Sequence, residues 1–169
     1  TLLIPDGCAA TMVLPDPDGP GPLTQLQQAL SGTINIRQTE NSVGPGEQSM
    51  PADIAFGTGY MHCYTFSVDQ AEQAGAVRVN FSPPLVHYND NYLSLATGVL
   101  VPTGYYDAEA GLWVPTDNGR VIKILTVTAG LADLDLNGDG AADPQTALDA
   151  MAISSDERAQ LALLYAPGA

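Results

Sequence analysis

Proline and glycine set the outer limit on what this chain can build. Thirteen prolines and seventeen glycines are spread through 169 residues. Between residues 1 and 125 they break the chain into short pieces. Proline removes a backbone donor and disrupts a helix interior, and glycine favours turns. The pieces between them read as strands, over 1–4, 10–14, 34–40, 60–68, 76–81, 85–88, 99–106, 112–114 and 121–127. Residues 75–82 alternate most clearly: Val77, Val79 and Phe81 fall on one face, Arg78 and Asn80 on the other. That is the pattern of a half-buried antiparallel strand. Residues 16–21 and 41–51 read as loops, and 24–30 and 69–74 as short helical turns.

Residues 99–125 predict a three-stranded meander. One turn lies over 107–111, and a second has Asn118-Gly119 at its tip, where both residues tolerate positive φ. Tyr105, Tyr106 and Trp113 are expected to pack on it, since buried aromatics are more often core than ligand platform. After residue 128 the character changes. Ser154-Ser-Asp-Glu157 is a capping box. Leu161, Leu164 and Tyr165 then follow at helical spacing, with a short helix over 146–151 before them. The expected fold is mainly β: an antiparallel β-sandwich over residues 1–128, then a calcium loop and short helix over 129–169.

The loop itself is Asp135-Leu-Asn137-Gly-Asp139-Gly140-Ala-Ala-Asp143. Oxygen-bearing side chains fall at alternate positions, a glycine follows the third, and a carboxylate closes the run. A hard cation such as Ca²⁺ takes about six to eight oxygens and needs a sharp turn beneath it. The candidate ligands are the side chains of Asp135, Asn137, Asp139 and Asp143 and the backbone carbonyl of Ala141. The twelfth position, Thr146, is not acidic, so Asp143 must close the site. Asp133 lies two residues upstream, where it adds charge or ligates in a shifted register. The stretch resembles the loops of dockerins and related extracellular repeats.

Charge narrows the partners. Five Lys and Arg face nineteen Asp and Glu, a formal net charge of −14. Phosphate backbones need a basic patch, so nucleic acid is excluded as a partner. Anionic membrane surfaces are disfavoured too, while divalent cations are attracted. The longest uncharged apolar run, 92–106, contains Pro102 and two glycines and falls short of a membrane helix. Thr1-Leu-Leu-Ile-Pro is too short for a signal peptide and has no basic flank, so the targeting segment is expected elsewhere.

No catalytic residue emerges. Cys8 and Cys63 lie in no C-x-x-C, which argues against zinc and leaves two readings, one disulfide or two thiols. His62 sits beside Cys63 on a strand, where neighbours point to opposite faces and cannot pair as nucleophile and base. His87 is likewise flanked by strand residues. No nucleophile elbow, zinc-protease motif or phosphate-cradling glycine loop occurs.

Two longer stretches carry a family resemblance. Val101-Pro-Thr-Gly-Tyr-Tyr-Asp107 and Gly111-Leu-Trp-Val-Pro-Thr-Asp-Asn-Gly-Arg-Val-Ile-Lys-Ile-Leu125 resemble a segment upstream of the repeats in large bacterial RHS/YD-repeat proteins. The likeness runs back through Ile36-Arg-Gln-Thr-Glu40 and Tyr64-Thr-Phe-Ser-Val-Asp69 and forward through the acidic loop, over roughly residues 33–168. It implies a non-catalytic, β-rich structural or interaction module of a large secreted or cell-surface protein. Its partners would then be calcium, other domains of the same chain or a surface partner. A carbohydrate-binding or adhesive sandwich and a self-assembling surface subunit are the alternative readings.

Overall fold

A computed structural model of the chain describes residues 1–18, 24–42, 49–53, 61–108 and 110–168. Parts of the loops expected over 16–21 and 41–51, and the start of the strand expected at residue 60, lie outside these. Of the described residues, 38% are strand and 14% helix, so the protein is mainly β. The strands form several small antiparallel sheets. The chain divides into two compact units, Leu2–Val86 and His87–Ala169, with Thr1 joining the second. Residues 128 and 129 lie within a hairpin, described below.

The first unit begins with β1 (Leu2–Leu3) and β2 (Ala9–Pro15). β2 is the centre of its only three-stranded sheet among the described residues, between β3 (Gln25–Ala29) and β6 (Arg78–Ser82). The helical turn expected over 24–30 is therefore a strand. Gln and Ala favour helix in isolation, and Leu26, Ala29 and Leu30 even fall at helical spacing, but a segment this short is marginal as a helix by itself. It gains instead a full ladder with β2, from Thr11↔Ala29 to Pro15↔Gln25. β6 alternates as its sequence predicts, with Val79 and Phe81 half-buried and Arg78 and Asn80 exposed; Val77, just outside the strand, is 61% exposed. β4 (Ile36–Glu40) and β5 (Tyr64–Val68) form an antiparallel pair, Ile36↔Val68 to Glu40↔Tyr64.

Helix α1 (Asp69–Gln73) follows β5 directly. Gln70 holds it against the chain before β4. Its Oε1 accepts from the Asn35 N–H at 3.1 Å, and its Nε2 donates to the Thr33 carbonyl at 2.8 Å. Arg37 reaches Asp69 at 2.6 Å and Glu72 at 2.8 Å. Met12, Val68 and Ala71 form the core, flanked by residues that include Leu14, Ile36, Val79 and Phe81. Cys8 and Cys63 are separate thiols. Cys8 donates to the Pro83 carbonyl at 3.3 Å, and Cys63 accepts from Asn41 Nδ2 at 3.9 Å. The remaining strand, β7 (Val86–His87), ends this stretch.

In the second unit, the expected meander is one long two-stranded ribbon. β9 (Gly104–Asp107) pairs with β10 (Leu112–Pro115), and outside them β8 (Leu100–Val101) pairs with β11 (Gly119–Arg120). The tip is the turn after Asp107, whose carboxylate accepts from the Ala110 N–H at 2.9 Å and whose carbonyl accepts from the Gly111 N–H at 2.8 Å. Asn118-Gly119 lies in the returning limb, and Gly119 faces Val101. Tyr106 and Trp113 are cross-strand partners and pack edge to face, 5.4 Å between centroids. That cross-strand contact stabilises the ribbon beyond area burial.

β12 (Lys123–Thr128) and β13 (Leu131–Asp135) form the next hairpin. Thr128 pairs with Leu131, leaving Ala129-Gly130 as a two-residue loop with φ of 52° and 82°. Positive φ at both positions matches the twist of the flanking strands. A register shift between Ile124 and Thr126 makes Leu125 the extra residue of a β-bulge. α2 (Gln145–Ala150) and α3 (Ser155–Leu164) follow. Ile124, Ala132, Leu134, Leu136, Leu148, Ile153 and Leu161 are buried around them.

The Ser154 capping box forms as expected. Ser154 Oγ accepts from the Glu157 N–H at 3.1 Å, and the Glu157 carboxylate reaches back to the Ser154 N–H. Such a cap contributes about 1 kcal/mol. The buried face of α3 differs from the expected one, since it carries Glu157 and Leu161 while Leu164 is exposed. The Tyr88 hydroxyl donates to buried Glu157 at 2.6 Å, which offsets the cost of burying the carboxylate. Burial, together with this carboxylate, pushes the Tyr88 phenol well above its ordinary value. Among the described residues no helix is long and apolar enough to cross a membrane.

Candidate metal centre

β13 delivers Asp135 into the loop. Its carboxylate, on a residue only 2% exposed, accepts a fan of main-chain donors. Oδ1 takes the N–H groups of Asn137 at 3.1 Å and Gly138 at 2.6 Å, and Oδ2 takes that of Gly140 at 2.9 Å. Burial alone would raise the Asp135 carboxyl. The N–H groups of Gly138, Gly140, Asn137 and Asp139 outweigh it and hold the group ionised below the usual carboxylate range. The chain can curl around one side chain this way because Gly138 and Gly140 sit at φ of 84° and 80°, where other residues are strained.

Asp143 closes the far end. Its N–H donates to the Leu134 carbonyl at 2.8 Å, while its Oδ2 accepts from the Leu136 N–H at 2.6 Å and its Oδ1 from Asn137 Nδ2 at 3.2 Å. Asn137 therefore touches both ends of the loop. Its own Oδ1 accepts from the Asp139 N–H at 2.8 Å, and Asp139 Oδ1 accepts from the Ala141 N–H at 2.8 Å. The structure thus draws Asp135, Asn137 and Asp143 together, and leaves Asp139 and Ala141 on the exposed outer limb. Among the described residues no three His, Cys, Asp or Glu side chains converge as a metal-holding group.

The donor set nevertheless suits a hard cation. All five candidate ligands offer oxygen, the donor type that Ca²⁺ takes. No Lys or Arg side chain among the described residues pairs with Asp135, Asp139 or Asp143. Two cationic residues lie close by: Lys123 is the cross-strand partner of Asp135 on β12, and Arg120 Nη1 donates to the Leu136 carbonyl at 3.1 Å. Three carboxylates within nine residues thus form no salt bridge among the described residues.

The loop also has a backstop that the sequence does not reveal. A Cβ on Gly138 would lie 2.6 Å from the Thr97 carbonyl oxygen, and one on Gly98 would lie 2.7 Å from the Asn137 carbonyl oxygen. The two main chains meet glycine to backbone, which places the loop firmly against residues 97–98. Nothing local to either segment signals this contact, because it joins positions about forty apart.

Asp133, the shifted-register candidate, has a different occupation. Its Oδ2 accepts from the hydroxyls of Thr126 and Thr128, each at 2.6 Å, and its Oδ1 from Arg158 Nη2 at 3.2 Å. Arg158 Nε also donates to the Ala132 carbonyl at 2.7 Å. Hydrogen bonds from Thr126 and Thr128, then the Arg158 charge, hold the Asp133 carboxyl below its ordinary range against the opposing effect of burial. Asp133 clasps α3 to the hairpin. The signal was legible in part: Thr126 and Thr128 are two apart on one strand and so share a face.

The histidine of the first unit is bound up with its neighbours. His62 Nδ1 lies 2.9 Å from both Glu40 Oε1 and the Tyr64 hydroxyl, with the ring stacked on Tyr64 at 5.4 Å. Cys63 points instead to Asn41. No known protein family, curated protein or solved structure matches the chain.

Proposed function

We propose that this protein is a non-catalytic structural module whose second unit is stabilised by Ca²⁺ bound at the 135–143 loop. The observation that carries this reading is the loop's three carboxylates, none of them in a salt bridge among the described residues, gathered on a preformed glycine turn. Asp135, Asn137, Asp139, Asp143 and the Ala141 carbonyl would hold the ion, which supplies charge neutralisation and cross-linking rather than chemistry. The loop joins β13 to α2 and α3, so an ion there braces the junction between the hairpin and the helices. The proposal includes a two-layer sandwich packing of the β elements, supported by the one-sided burial along β6. It also includes membership in a large secreted or cell-surface RHS-like protein, supported by the resemblance of residues 99–125.

The test is isothermal titration of chelator-treated protein with CaCl₂. One saturable site is expected, and Asp143→Asn should weaken it by tenfold or more, about 1.4 kcal/mol. Absence of binding heat at millimolar Ca²⁺, together with unchanged melting on chelation, would refute the reading.

A further inference from the structure

Among the described residues, the first unit carries a sheet edge that lacks charge, proline and bulge. In β3 every residue is exposed. The strand, Gln25-Leu-Gln-Gln-Ala29, contains no charge and no proline, and its ladder with β2 runs without a bulge. Natural edges are commonly blunted by such features. β6, at the other edge of the same sheet, carries Arg78.

The hydrogen-bond phase of β3 follows from its flanks. Leu30 N–H donates to the Ala10 carbonyl at 2.8 Å, and Asp16 N–H donates to the Thr24 carbonyl at 2.9 Å. In an antiparallel ladder the residues facing the partner alternate. Positions 24, 26, 28 and 30 therefore face β2, and the N–H and C=O groups of Gln25, Gln27 and Ala29 face away from it. No described hydrogen bond uses these outward groups.

We infer that this edge is a self-association site that takes β3 of a second copy of the chain, antiparallel and centred on Gln27. The outward positions are symmetric about that residue. Gln27 then lies opposite its own copy, and Gln25 lies opposite Ala29 in both directions. Each outward N–H meets an outward carbonyl, and the two three-stranded sheets become one continuous sheet about a two-fold axis. An isologous contact of this kind closes on itself and stops at a dimer. The neutral strand matters because the chain carries a net charge of −14. No residue of β3 adds a like charge to the seam. The inference is independent of the calcium reading.

Sedimentation velocity of the full chain over a concentration series, at moderate salt to screen the net charge, tests it. A concentration-dependent monomer–dimer equilibrium is expected. Gln27→Glu is nearly isosteric and exposed, and it places two like charges face to face only in the dimer. It should raise the dissociation constant about tenfold or more at neutral pH. Gln27→Pro removes only an outward donor, at an edge position where proline is tolerated, and should act in the same direction. Arg78→Glu, on the opposite edge, should leave association unchanged. Circular dichroism and melting of each variant establish that the monomer is folded. A chain monomeric up to millimolar concentration, or a dimer indifferent to both Gln27 substitutions, would overturn the assignment.

Discussion

Glycine at position 138 serves two needs that are separable by substitution. Its φ of 84° is strained for any side chain, and an added Cβ would strike the Thr97 carbonyl at 2.6 Å. Gly130 in the β12–β13 turn has nearly the same φ, 82°, but nothing within 4 Å of an added Cβ. Gly130→Ala should therefore cost only the left-handed strain, about 1–2 kcal/mol. Gly138→Ala should cost clearly more, because backbone must move as well. Urea unfolding of the two variants reads the difference directly. Equal losses would mean that the contact with residues 97–98 contributes nothing.

At the scale of elements, Asp133 couples the β12–β13 hairpin to α3 and should give the second unit a pH signature. Its carboxyl lies below the ordinary range when folded and near about 3.9 when unfolded. The unfolded state thus binds the proton more readily. The stability Asp133 contributes is present above the unfolded value and is lost as pH falls through the folded one. Asp133→Asn should flatten the acid limb of the stability–pH curve and lower stability at pH 7. An acid limb unchanged by the substitution would show that other carboxylates carry it.

The elements legible in the sequence were those specified over a few residues. The capping box at Ser154, the alternation of β6 and the turn after Asp107 each depend on neighbours within one turn or strand. What failed depended on distant partners. Asn118-Gly119 is a strong local hairpin signal, yet it yields to the Tyr106–Trp113 pairing across the ribbon. Residues 25–29 became a strand because β2 offered a ladder, which their own helix propensity does not report. In the metal loop, the fan of N–H groups on Asp135 follows from local spacing and glycine placement, whereas the contact with residues 97–98 does not.

At the scale of the whole molecule, a mainly β chain of small sheets and a net charge of −14 has many carboxylates and few cations to balance them. The loop at 135–143 is where that imbalance coincides with a preformed turn. Asp139 separates metal binding from loop folding, because its carboxylate is bonded within the loop only to the Ala141 N–H. Its replacement by Asn preserves that bond and removes a charge. The most direct measurement is thermal unfolding of the wild type and Asp139→Asn, each in Ca²⁺ and in EDTA. At free Ca²⁺ a hundredfold above the dissociation constant, one site stabilises by about 2.7 kcal/mol. That corresponds to a shift of roughly 5–10 °C for a chain of this size. The wild type should show this shift, and Asp139→Asn should melt close to the EDTA value in both conditions. A wild type whose melting is the same in Ca²⁺ and EDTA would contradict the account.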